Sequence, residues 1–264
     1  MDAGRMQPGR IGRTRRSRAI VAVVAGAAAL GLIGVAGCGG GSSGSTGSTA
    51  TTAASPLEGL SANAVLERTQ KAAGAASSVR IAGQVTTGNQ TITLDLRLKA
   101  GAGAAGTMGI AGGNVDLIVL DKTIYLKGNE AFYRGVVGDR WNAEIAKLIV
   151  GRYLKASTTD ANFGSLSVFT DMRSFLGGLL TPQGAVTRVA GTPVGGVATV
   201  GLKGGKPGKE AILLVADAAD PLPLRLAPVS SPTGDQVTFS EWNGAVELTA
   251  PPADQVLDVA ALTS

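Results

Sequence analysis

The stretch Thr91-Ile92-Thr93-Leu94-Asp95-Leu96-Arg97-Leu98-Lys99 decides the fold class. Every second residue is aliphatic and each residue between is polar or charged. Successive side chains of a strand point to opposite faces. This segment therefore has one dry and one wet face, the pattern of an antiparallel sheet packed on one side. Outward from it, Val79–Thr86 and Gly106–Ala111 read as its neighbours in a meander. Asn114–Leu120 and Thr123–Lys127 read as a further hairpin around Asp121-Lys122. Between these strands, Gly101–Gly106 spells G-x-G-x-x-G. A dinucleotide site needs a helix to open there, so that its amides and dipole face the pyrophosphate. The next residues, TMGIAGG, make a poor helix, and a glycine-rich hairpin turn is the ordinary reading.

On the amino-terminal side, Val65, Thr69, Ala72, Ala73 and Ala76 recur at helical spacing. Ser61 stands where an N-cap belongs, and the helix is expected to end near Ala76. The middle of the chain is also helical. Asn142 is placed to cap a short helix carrying Ile145, Leu148 and Ile149, and a second helix is expected from Leu166 to Leu180, ended by Gly177-Gly178 and Pro182. That helix is apolar over more than half its circumference, more than a surface helix requires. Strands then return at Ala185–Ala190, Gly196–Lys203, Glu210–Ala216, Leu222–Ala227 and Gln236–Trp242. Gly204–Lys209, GGKPGK, is a hairpin turn that fails as a P-loop in spacing and in lacking Ser or Thr after the lysine. Segregated runs of strands and helices indicate an α+β fold with one large antiparallel sheet. A sheet of this size tends to curl, and a curled sheet with a dry concave face makes a cavity that helices can close.

Upstream, Ala19–Cys38 reads AIVAVVAGAAALGLIGVAGC, without a charged side chain and behind an arginine-rich leader. A basic n-region followed by an apolar run is the form of a secretory signal. Val35-Ala36-Gly37-Cys38 resembles a bacterial lipobox, in which the thiol of Cys38 receives a diacylglyceryl group and Cys38 becomes the first residue after cleavage. An uncleaved span would need about 20 apolar residues; Ala19–Gly37 is borderline in length and rich in Gly and Ala. Arg15-Arg16 hints at twin-arginine export, but the apolar pair expected after it is missing, and the general secretory route is preferred. Residues 39–55, GGGSSGSTGSTATTAAS, have nothing to bury and read as a linker. Within them Gly40–Gly44 matches G-x-S-x-G, yet the strand and helix that a nucleophile elbow requires are absent from the pattern. The expected organisation is a signal over 1–37, the lipidated Cys38 and linker over 38–57, and one domain over 58–264.

The leader also explains the charge. The chain carries +5 and an isoelectric point near 9.6. Six of its 24 basic side chains and one of its 19 acidic ones lie before Cys38, leaving 18 of each. The remainder is formally neutral, which removes nucleic acid as an expected partner. Positive charge ahead of an apolar run instead keeps that end cytoplasmic.

The inventory of reactive groups is small. With no histidine and one cysteine, His-dependent triads, Cys–His pairs and the common zinc sets are unavailable. No disulfide can form within the chain, so its core must hold the fold. Carboxylates remain (Asp116, Asp121, Asp139, Glu144, Asp160 and Asp171), without a spacing that marks a dyad. A glycosidase needs only two carboxylates, so a hydrolase stays as a third reading. The residues show no sign of a catalytic group, metal site or cofactor, and the chain is not expected to be an enzyme.

The blocks YLKGNEAFYRG (125–135), GRYLKAS (151–157), FTDMRSFLGGLL (169–180), PLPLRL (221–226) and VTFSEWN (237–243) resemble the LppX/LprG family of actinobacterial lipoproteins. The resemblance runs in order over roughly residues 58 to 250, behind a similar lipobox and linker. It implies a half-barrel similar to the LolA carrier, with helices over its mouth and a hydrophobic cavity for the acyl chains of lipids or glycolipids. Tyr153 departs from the tryptophan that the family often has there. The implied function is a lipoprotein anchored on the extracytoplasmic face of the cell membrane that carries or presents acylated lipids. Candidate lining residues are Ile92, Leu94, Leu96, Leu98, Val115, Leu117 and Val119 from the sheet, with Phe175, Leu176 and Leu179 from the covering helix; each is equally suited to an ordinary packed core. The alternative reading is a surface-tethered interaction or sensor module whose core is filled. Neither reading names a protein partner.

Overall fold

A computed structural model describes residues 55–87, 90–110, 112–160, 163–231 and 234–260. The leader, Cys38 and nearly all of the linker lie outside the described residues.

Helix α1 (Ala62–Ala75) begins where Ser61 accepts the amide of Ala64 on its side chain, as the sequence indicates. It is followed by five strands in a meander: β1 (Ser78–Thr87), β2 (Gln90–Lys99), β3 (Gly103–Ile110), β4 (Gly113–Leu120) and β5 (Thr123–Gly128). Then come α2 (Glu130–Val137), α3 (Ala143–Ile149), β6 (Tyr153–Ser157), a 3₁₀ segment over Gly164–Thr170 and α4 (Met172–Leu179). A second run of strands comes next: β7 (Thr187–Val189), β8 (Thr199–Gly204), β9 (Ala211–Ala216), β10 (Pro223–Pro228), β11 (Gln236–Ser240) and, after a gap, β12 (Val256–Asp258). The twelve strands form one open, curved sheet in the order β12-β6-β5-β4-β3-β2-β1-β11-β10-β9-β8-β7. All neighbours are antiparallel except β12 on β6. The α+β class and the large, mainly antiparallel sheet are thus as read from the alternating stretch.

The register shows why that stretch dominates. Leu96 of β2 pairs with Ile81 of β1, and Ile81 with Phe239 of β11. In the other direction Leu96 faces Gly106, Leu117, Leu126 and Leu154 in succession. One row of apolar positions therefore crosses seven strands on one face. Helices α1 and α4 and the 3₁₀ segment cover that face through Val65, Phe169, Met172 and Leu176, all in the core with the strand residues. Each buried side chain of this size contributes about 1.5–3 kcal/mol relative to exposure.

Several boundaries differ from the sequence reading, each for a local reason. The turn expected at Gly101–Gly106 is only Ala100–Ala102, where the Ala102 amide bonds the Lys99 carbonyl and Gly101 sits at φ +70°. Gly103–Gly106 already belong to β3. Gly106, at φ +153°, lies so close to β2 that a Cβ would collide with the Asp95 carbonyl oxygen. Its glycine is needed for sheet packing, which also answers the dinucleotide motif. The single helix expected at Leu166–Leu180 is broken at Asp171. The Asp171 carboxylate accepts the amides of Arg173 and Ser174 and so restarts the chain as α4. Gly177 and Gly178 lie inside α4, which stops before Pro182. Elements without an expected counterpart are α2, β6 and β12. Helix α2 is capped by Asn129, whose side-chain oxygen accepts the amides of Phe132 (2.9 Å) and Asn114 (3.1 Å), pinning the helix to β4.

Candidate functional site

The second run of strands carries an apolar pocket of about 380 Å³. Its floor follows from the register. Leu202 of β8, Leu213 of β9 and Leu226 of β10 stand side by side on the covered face. Two residues further along each strand, toward the β8–β9 turn, the corresponding positions are Gly204, Ala211 and Pro228. Of these, Gly204 and Ala211 line the pocket: the floor steps down at Ala211, whereas at Gly204 Val186 and Pro182 stand 3.4 and 3.5 Å from where a Cβ would be. The roof is set at the leucine height by Leu66 of α1, Leu179 and Leu180 at the end of α4, and Val186. It is fixed by polar bonds: Gln70 Nε2 donates to the Leu180 carbonyl at 3.1 Å, and Thr181 Oγ1 to the Gly177 carbonyl at 2.6 Å. The step at Ala211, beneath the end of α4, opens the pocket. Its rim adds Thr181, Gln183, Lys206 and Lys209, and no carboxylate lines it.

Of the ten expected lining residues, Leu179 lines this pocket. Leu96, Leu98, Val115, Leu117, Val119 and Leu176 are buried in the packed core, with Leu94 and Phe175 partly buried against it. Ile92 is half-buried near the start of β2. The structure therefore brings most of them together as tightly packed core, and builds the pocket from the other half of the sheet. The missed floor residues sit in segments without clean alternation, AILLVA above all. The available signal was side-chain size: a glycine and an alanine paired across a hairpin at positions where the preceding pair is leucine.

Among the described residues, no buried side-chain nitrogen or oxygen lacks a hydrogen-bond partner. On the outer face Arg80 holds both oxygens of Asp95 at 2.8 and 2.7 Å, and Arg97 holds Glu241 at 2.9 and 3.2 Å. Arg80 also reaches Glu241 at 3.4 Å, giving a neutral group of four. The Arg80 hydrogen bonds hold the Asp95 carboxyl below its ordinary range, against a partial desolvation cost. Asp171 is held low by the hydroxyl of Ser174 and the amides it caps, and Asp258 by Lys155 at 3.1 Å. Burial pushes the Tyr133 phenol up, although its oxygen accepts the Gly128 amide at 3.0 Å. Burial, with the nearby charge of Asp116, does the same to Tyr153, whose ring lies 5.3 Å from the Lys127 ammonium. Asp121 sits in the β4–β5 turn at φ +52°, Asp139 in a short turn after α2, and Glu144 in the first turn of α3. Among the described residues, no group of three Cys, Asp or Glu side chains gathers to hold a metal. No helix there is long and apolar enough to cross a membrane. Two open hollows of about 450 and 400 Å³ over β2–β4 share Thr93, Gly109 and Asn114; the second is also lined by Leu94, Met108 and the carboxylates of Asp95, which Arg80 holds, and Asp116.

No family model and no curated protein matches this chain. Among solved structures it is similar to LprF from Mycobacterium bovis, at 16% identity and a TM-score of 0.48, over 73% of this chain and 97% of that one. It is similar to the lipoprotein LppX of Mycobacterium tuberculosis at 16% identity and 0.42, over 71% and 98%. An uncharacterized conserved protein from Thermus thermophilus is similar at 12% and 0.36, over 75% and 98%. The two mycobacterial lipoproteins are of the LppX/LprG family that the sequence blocks resemble. This is a likeness in the course of the chain, and no residue of the pocket is carried over from it.

Proposed function

We propose that this chain is a non-enzymatic lipoprotein, anchored through diacylglyceryl-Cys38 on the extracytoplasmic face of the cell membrane, that binds acylated lipids or glycolipids and carries or presents them in the cell envelope. The observation that carries this reading is the roofed apolar pocket over β8–β10. At about 30 Å³ per heavy atom, the share of a water molecule in the liquid, its 380 Å³ takes on the order of a dozen atoms of an alkyl chain. Each methylene withdrawn from water contributes about 0.8 kcal/mol, so the gross gain is about 10 kcal/mol. That is comparable with the roughly 4–15 kcal/mol lost on immobilising a ligand. One chain segment is therefore enough for reversible binding, which suits a carrier better than permanent retention. The Val35–Cys38 lipobox supplies the location, because two acyl chains anchor stably where one binds marginally.

One observation favours the filled-core alternative. Under β2–β5 the covered face is packed shut, with Leu98, Leu117, Val119 and Ile124 fully buried. On that reading the pocket over β8–β10 is a surface recess. Native mass spectrometry of the full chain carrying Cys38→Ser, after exposure to envelope lipids, separates the two. Lipid adducts that survive desolvation are expected; clean apo protein would refute the carrier reading.

A further inference from the structure

We infer that the pocket selects amphiphiles with an anionic headgroup, a phosphate or carboxylate held by Lys206 and Lys209 while a single alkyl chain lies on the apolar floor. The inference rests on the pocket being a lipid site and adds what the headgroup must be.

The β8–β9 connection is built to bring these two lysines together. Lys206-Pro207-Gly208-Lys209 closes with the Lys209 amide donating to the Lys206 carbonyl at 2.8 Å. Proline at the second position and glycine at the third, with φ +77°, are the requirements of a type II turn. The ends of such a turn lie within about 7 Å of each other, so both ammonium groups sample the same small volume at the pocket mouth. Gly205 fixes the entry to the turn: at φ +128°, a Cβ there would meet the Lys209 carbonyl oxygen at 2.7 Å. The motif GGKPGK is thus specified in detail, although it fails as a P-loop.

The charges of this hairpin do not cancel. Glu210 is the acid of this hairpin, and its carboxylate is already taken by the Gly208 amide at 2.9 Å and by Lys203 at 3.9 Å. Lys203, Lys206, Lys209 and Glu210 together leave a charge of +2. Lys206 and Lys209 are exposed and form no ion pair among the described residues. Every other side chain of the pocket is neutral. An apolar floor that ends at two uncompensated cations complements one class of ligand, a chain that ends in an anion. Lysine ammonium groups on flexible stems act as point charges and do not impose the planar, bidentate geometry of arginine. The site therefore reads charge and leaves headgroup shape open.

The test uses the full chain carrying Cys38→Ser, so that its own acyl chains cannot compete. Calorimetric titration with dodecyl phosphate, dodecanoate and the neutral dodecanol measures chain and charge separately. Dodecyl phosphate and dodecanoate are expected to bind about tenfold more tightly than dodecanol, the sum of two partly solvated charge contacts. The preference should narrow as salt shortens the screening length. In Lys206→Gln/Lys209→Gln it should fall to within about twofold, and in Lys206→Glu/Lys209→Glu it should reverse. Both positions are exposed, so an unchanged thermal melt is expected for each variant. Equal binding of neutral and charged probes, a preference indifferent to salt, or one retained in the glutamine variant would overturn the inference while leaving a lipid pocket. Failure of all three probes to bind would overturn the pocket reading itself.

Discussion

Filling the pocket from its floor tests whether it is a ligand cavity or an incidental recess. Ala211 lines it where β9 begins, paired with Gly204 on one side and Pro228 on the other. Ala211→Trp adds about nine heavy atoms to a space that holds on the order of a dozen by liquid packing. About three quarters of the room for a chain would be lost, and with it, at about 0.8 kcal/mol per methylene, about 7 kcal/mol of gross binding. Alkyl ligands should therefore lose more than a thousandfold in affinity, which takes a micromolar complex out of measurable range. Stability should respond in the opposite sense. Tryptophan suits a strand, and its apolar surface would enter existing space, so the unfolding free energy should stay within about 1 kcal/mol of the parent or rise. Overpacking a site already filled costs about 1–3 kcal/mol. The assay pairs urea unfolding with calorimetric titration of a C12 amphiphile into the full chain carrying Cys38→Ser. Unchanged affinity would show that ligands do not use this space. A loss of about 2 kcal/mol or more in stability, the cost of overpacking, would show that the space does not exist in solution.

Other perturbations probe the frame and the anchor. Asp95 has a depressed pKa in the folded state through Arg80. Its contribution is thus complete above the unfolded value of about 3.9 and disappears as pH falls through the folded value. With side chains a third or more exposed, the pair is worth about 0.5–1 kcal/mol after solvent screening; unfolding free energies from urea melts at pH 6 and pH 3 should converge by that amount in Asp95→Asn, and parallel acid sensitivity would refute the assignment. Gly106→Ala should destabilise by about 3 kcal/mol or more, since its Cβ would collide with the β2 backbone. The control Gly74→Ala, inside α1 with open space around it, should stabilise by about 0.5–1 kcal/mol; equal thermal shifts for the two would refute the close approach. Cys38→Ser should abolish incorporation of labelled palmitate and leave the protein released or unprocessed, and persistent labelling would refute the lipobox.

The fold was legible wherever side chains had to choose between two faces. Thr91–Lys99 alternates because β2 is central to the first half of the sheet and is wetted on one side, with Arg97 outside and Leu96 and Leu98 inside. Ser61 and Asn142 were legible as caps because satisfying a free amide is a local matter. Elements settled by distant partners were not. Strand β12 exists only because Val256–Asp258 lie in parallel register on Tyr153–Lys155, about a hundred residues earlier. The break at Asp171 was hidden because a hydrophobic pattern runs through it. One carboxylate accepting two amides outweighed that continuity.

The pocket was less legible for a different physical reason. Hydrophobic alternation reports which face of a strand is covered, and a packed core and an empty cavity are covered alike. Leu117 and Leu213 are indistinguishable by that criterion, yet Leu117 is packed within the core and Leu213 borders open space. What separates them is whether the next residues on the same face are long enough to reach the roof. On β4 they are Val115 and Val119, both buried in the core. On β9 the side chain shortens from Leu213 to Ala211, which stops short, whereas at Gly204 of β8 the cover already comes down, with Val186 3.4 Å from where a Cβ would stand. The end of α4 is held at its height by the Gln70 hydrogen bond from α1. A cavity at that end of the sheet is thus a mismatch of side-chain lengths beneath a rigid cover. Its mouth falls at the hairpin that closes the same two strands, which is why the chain-binding floor and the lysines of GGKPGK form one site.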